Sequence, residues 1–84
     1  MATRRVIVTL RAGAPDPHDA TFLAQLAESA NANISVLREM SGNAWVMNVM
    51  CRADRDGACE DALQRLRASR WIATIEPDGR ELKQ

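Results

Sequence analysis

An α+β fold with its elements in the order strand, helix, strand, strand, helix, strand is predicted by three observations. The run Val6 to Leu10 alternates, with Val6, Val8 and Leu10 set against Ile7 and Thr9, the period of a strand with one strongly apolar face. Two later segments, centred on Leu26 and Leu63, carry their apolar residues at helical spacing instead. The last third then runs an amphipathic helical pattern, Asp56 to Ser69, straight into Trp71-Ile72-Ala73-Thr74-Ile75 and halts at Glu76-Pro77-Asp78-Gly79.

The first strand is placed at Arg5 to Arg11, and Ala12-Gly13-Ala14-Pro15 breaks it. Asp16-Pro17 sets up the first helix, with Asp16 as N-cap, Pro17 at the first helical position and Asp19 in the first turn. Phe22, Leu23, Leu26, Ala27 and Ala30 form its inward stripe, and Asn31-Ala32-Asn33 ends it because Asn tolerates the left-handed cap. Ile34 to Met40 and Ala44 to Arg52 are β-rich and joined by Ser41-Gly42-Asn43, a loop suited to an antiparallel hairpin. The second of these is apolar on both faces apart from Asn48, which suits a central strand. Ala53 to Gly57 is a polar turn into the second helix, where Cys59, Ala62, Leu63 and Leu66 face inward and Asp61 and Arg65 form an outward ion pair. Trp71 begins the fourth strand. Strand–helix–strand twice over, with a hairpin between, is the ferredoxin-like βαββαβ arrangement: a four-stranded antiparallel sheet of order 4-1-3-2 with both helices on one face.

At 84 residues the chain is expected to form a single domain over 1–84, with 79–84 a polar tail. A chain of this size buries roughly 60–65% of the surface that it exposes when unfolded. Eleven basic residues balance eleven acidic ones, so no field concentrates phosphates and nucleic acid is not an expected partner. Apolar runs such as Trp45-Val46-Met47 are far too short to span a bilayer, and Ala2 to Val6 leads into a strand without a hydrophobic signal core. Neither a membrane nor a secretory route is expected, which leaves the cytoplasm. The two cysteines, Cys51 and Cys59, match neither Cys-x-x-Cys nor a structural zinc set and read as buried thiols. One ends a strand and the other opens a helix, near enough for a bond that a reducing cytoplasm would keep open.

No constellation points to catalysis, and no cofactor or metal is expected. His18, the single histidine, lies beside Asp16 and Asp19 on what reads as a solvated helix cap, and no serine or cysteine nucleophile is placed for it by motif. There is no glycine-rich phosphate loop, and Arg11 to Asp16 is too proline-bound and acidic to cradle an anion. Glu39, Glu60, Asp61, Glu76 and Asp78 are dispersed and read as solvated surface. Trp45 reads as core, and Trp71 as packing against the end of the second helix.

The remaining feature is the sheet face away from the helices. Extending strict alternation along each strand puts Ile7, Thr9, Leu37, Val46, Asn48, Met50, Ile72 and Thr74 there, with no element left to cover them. A contiguous apolar patch of a few hundred Å² marks a binding site, for a foreign protein or for a second copy of the chain.

In order and spacing, several segments together resemble the propeptide-like inhibitor family of subtilisin-type serine proteases. They are the opening Val6-Ile7-Val8-Thr9-Leu10, the hairpin Gly42-Asn43-Ala44-Trp45-Val46, the short leucine-bearing second helix and the closing Trp71-Ile72-Ala73-Thr74-Ile75-Glu76-Pro77-Asp78. The resemblance implies a ferredoxin-like fold whose open sheet face packs on two surface helices of a protease. It also implies that the segment after Asp78, here Gly79, Arg80, Glu81, Leu82, Lys83 and Gln84, lies in the substrate cleft as an added strand. Glu81 and Lys83 depart from the apolar side chains that many subtilisins favour. With no protease domain following, the resemblance implies a stand-alone inhibitor or chaperone. The alternative is a small ferredoxin-like regulatory or ligand-binding domain that homodimerises through its sheet, a likeness of topology only.

Overall fold

The computed structural model of the chain describes residues 2–52 and 57–78. Six elements follow one another: β1 (Ala2–Leu10), α1 (Ala20–Ala30), β2 (Asn33–Met40), β3 (Ala44–Cys51), α2 (Ala58–Arg67) and β4 (Ile72–Pro77). The strands form one antiparallel sheet ordered β2-β3-β1-β4, which is β4-β1-β3-β2 read from the other edge. Both helices contribute to a single core: Phe22, Leu26 and Ala30 of α1 and Cys59, Ala62 and Leu66 of α2 meet Val6, Val8, Leu10, Trp45, Met47 and Val49 of the central strands. Helix α1 packs on β2 and on α2, and α2 reaches β3, β4 and β1. Burying a side chain such as Leu66 or Val8 contributes about 1.5–3 kcal/mol, and this one-sided layer is where the fold gains its apolar stabilisation.

Local chemistry sets the element ends. Helix α1 begins three residues later than its sequence suggests, because Asp19 rather than Asp16 takes the N-cap, accepting from the Thr21 N–H at 2.9 Å. Asp16 instead closes a turn by accepting from the His18 N–H at 2.8 Å. Asn31 ends the helix in the left-handed conformation, φ 56°, and Ala32 N–H reaches back to the Ala27 carbonyl at 3.1 Å. In the hairpin loop Gly42 and Asn43 both take positive φ, and the Asn43 carbonyl accepts from Leu10 N–H at 2.9 Å, tying the loop to the end of β1. Helix α2 starts only after Gly57, whose φ of 79° is incompatible with a helix interior. Pro77 sits on the edge strand β4, where its missing N–H interrupts nothing, and Asp78 N–H resumes the ladder to the Arg5 carbonyl at 3.1 Å.

Several expectations are corrected. Cys51 and Cys59 are not thiols but a disulfide, with Cα atoms 5.3 Å apart, joining the end of β3 to the first turn of α2. Asp78 is not solvated surface: it is 6% exposed, and its carboxylate lies 3.8 Å from Arg5 Nε. Trp71 precedes β4 and packs edge-on against Phe22 of α1, centroids 6.4 Å apart, with the Arg70 guanidinium 4.6 Å from its ring centroid. Ile72 is core, 2% exposed, because a bulge opposite Thr9 and Leu10 adds one residue to β4 and turns Ile72 to the helix side. The turn residues 53–56 and the tail residues 79–84 lie outside the described part of the chain.

Candidate binding face

Directly opposed residues of antiparallel strands share a face, so the pairing register builds the helix-free side row by row. One row runs Arg38, Val46, Ile7, Glu76 across β2, β3, β1 and β4. Its neighbours read Ser35, Asn48, Arg5 on one side and Met40, Ala44, Thr9, Thr74 on the other, with Asn33, Met50, Thr3 beyond. The face therefore has an apolar pair, Ile7 and Val46, on its two central strands, with a positive charge at one end of their row and a negative charge at the other; the polar row of Asn48 and Arg5 separates this pair from Met50.

Of the eight residues expected here, Ile7, Thr9, Val46, Asn48, Met50 and Thr74 share the face. Ile72 does not, as given above. Leu37 is the extra residue of a bulge between Val36 and Arg38; it is 46% exposed and lies outside the regular pairing, so it belongs to the β2 edge rather than to a row of the face. Val46 is on the face but already 2% exposed, covered by neighbouring side chains although no helix lies over it. A partner would touch Ile7 and Met50, which are half-buried, more than Val46. Sequence reading missed Arg5, Ser35, Arg38 and Glu76. Simple alternation from Thr74 would have found Glu76, whereas Arg38 is hidden by the bulge.

At the end of the sheet that carries the β1–α1 loop, a cavity of about 240 Å³ is lined by residues including Arg11, Asp16, Asn43 and Trp45. His18 stands nearby, 66% exposed, its Nδ1 3.3 Å from Asp16 Oδ1 and its ring edge-on to Trp45 at 5.1 Å. Here the sequence neighbours Asp16 and His18 do meet, while Asp19 is occupied at the helix cap. The described lining of this cavity includes no serine, threonine or cysteine that the imidazole could activate.

Among the described residues no group of three or more His, Cys, Asp or Glu side chains is placed to hold a metal ion, and no helix is long and apolar enough to cross a membrane. Compared with known proteins, the chain matches no family model, no curated protein and no solved structure at a significant level.

Proposed function

We propose that this chain is a protein-binding module of ferredoxin-like fold, a stand-alone inhibitor or chaperone of a subtilisin-type protease that engages its partner through the helix-free sheet face and the segment after Asp78. The observation that carries this reading is the half-buried Ile7 beside Val46 at the centre of a face with no helix over it, bordered by the polar side chains of Thr9, Asn48, Arg5, Arg38 and Glu76, the layout of a recognition surface with a dry centre and a wet rim. The resemblance of the hairpin and the closing Ile75-Glu76-Pro77-Asp78 to protease propeptides supplies the partner class. The Cys51–Cys59 bond adds support, since disulfides persist in oxidising compartments, where secreted proteases also work.

The test is inhibition of a broad-specificity subtilisin by the full chain and by a chain lacking Gly79 to Gln84. Full-length protein is expected to inhibit at micromolar concentration with slow cleavage near its C-terminus, and the truncated form to remain folded and lose inhibition. Equal potency of the two, or none from either at high micromolar concentration, overturns the reading.

A second reading, self-association through the same face, is favoured by one specific observation: the row Arg38, Val46, Ile7, Glu76 is self-complementary. A two-fold axis running along the strands between two stacked sheets lays β2 of one copy over β4 of the other, which sets Arg38 against Glu76 and Val46 against Ile7. Such a dimer is indifferent to loss of the tail.

A further inference from the structure

On the opposite side of the sheet from the candidate face, between α2 and the β1–β4 edge, lies a cavity of about 140 Å³ lined by Arg4, Arg5, Val6, Leu63, Arg67 and Ile75 among others. Two guanidinium groups, those of Arg4 and Arg67, stand over an apolar floor, whereas the Arg5 side chain belongs to the other face beside Asp78, and among the described residues no carboxylate lines the cavity itself. Arg4 is held by Glu60 at 2.8 Å, but both side chains are more than half exposed, and a pair of that kind contributes at most about 1 kcal/mol. Arg67 spends one of its five N–H donors on the Ile75 carbonyl at 3.3 Å, and no described acidic residue pairs with it. Arg4 and Arg67 therefore supply forked donors beside Leu63 and Ile75, the chemistry that recognises a carboxylate carrying an aliphatic body. Volume sets the size of the whole ligand: a cavity of about 150 Å³ accommodates a six-carbon ring.

We infer that this cavity binds a branched aliphatic monocarboxylate of about six carbons in all, with the carboxylate between Arg4 and Arg67 and the body on Leu63, Val6 and Ile75. Two sources share this chemistry, a free short-chain acid and the C-terminal leucine-like residue of a peptide. The site is independent of the protease reading, because it lies on the helix side of the sheet.

The experiment is a titration of the full chain, followed by amide chemical shifts, with 4-methylpentanoate, N-acetyl-leucine and the uncharged N-acetyl-leucinamide. Both acids are expected to shift the amides around Leu63, Arg67 and Ile75 saturably, with Kd on the order of a few millimolar for ligands of this size, and the amide to bind at least about tenfold more weakly. The tighter of the two acids identifies the source. Arg67→Gln is expected to weaken binding about tenfold, and Glu60→Gln to strengthen it severalfold by releasing Arg4, an effect that no loss of folding can imitate. Absence of saturable shifts up to about 50 mM, equal binding of the amide, or a Glu60→Gln chain that binds no better than the parent overturns the proposal.

Discussion

At the level of single residues, the fold is decided by which of several chemically equivalent side chains reaches a backbone group first. Asp16 and Asp19 are both reasonable caps for α1 by sequence, and Pro17 after Asp16 favours the earlier start. The structure gives the cap to Asp19, and Asp16 is used in the turn before it. Asp19→Ala is therefore expected to destabilise the protein by about 1 kcal/mol, and Asp16→Ala by less than half as much. Urea unfolding midpoints at unchanged slope measure both, and a larger effect at position 16 would return the cap to Asp16. Asp78 teaches a related lesson. In sequence it is one more acidic residue after a proline, and nothing local announces that it is buried beside Arg5, because its partner lies 73 positions earlier and is brought to it only by β1–β4 pairing.

At the level of elements, alternation located every strand and helical spacing both helices, since each has a nearly uninterrupted apolar face: Val6, Val8 and Leu10 in β1, Phe22, Leu26 and Ala30 in α1. What periodicity could not carry was phase across a bulge. One extra residue in β4 and one in β2 shift the pattern by one position, which moved Ile72 into the core and Leu37 out of the face, and a bulge leaves no mark in composition. The candidate face was accordingly legible in its central strands and misread at its edges. The disulfide was legible only as proximity, because spacing shows whether two sulfurs can meet and the compartment decides whether they bond. It joins residues eight positions apart and tethers the start of α2 to β3. In the chain-entropy account, a closed loop of that length contributes about 2.5 kcal/mol. Reduction, or the double substitution Cys51→Ala and Cys59→Ala, is expected to lower stability by about 2 kcal/mol and to speed hydrogen exchange in α2 more than in α1. Uniform exchange in both helices after reduction would show that the bond does not hold α2 in particular.

At the level of the whole molecule, a single sheet with both helices packed into one core has its other face without a helical layer, and the pairing register gives that face a polarity across the strands. Arg38 stands at the β2 edge and Glu76 at the β4 edge of one row, with Val46 and Ile7 between them. Stacked sheets lie about 10 Å apart, a distance that side chains of this length bridge from both sides. In the two-fold dimer each Arg38 meets a Glu76, so the pair occurs twice per assembly, and its disruption is felt twice. Arg38→Glu is expected to weaken dimerisation at least about fivefold by placing like charges together, and adding Glu76→Arg to restore it, because the row is again complementary with its signs exchanged. Sedimentation equilibrium across a concentration series measures this directly, and thermal melting of the same variants checks that the fold is intact, since both positions are exposed. A wild-type chain that stays monomeric at about 100 µM, where even a weak dimer of this kind is populated, leaves the face to a foreign partner. A double variant that fails to recover association removes the Arg38–Glu76 pairing, and with it the register of the two-fold packing.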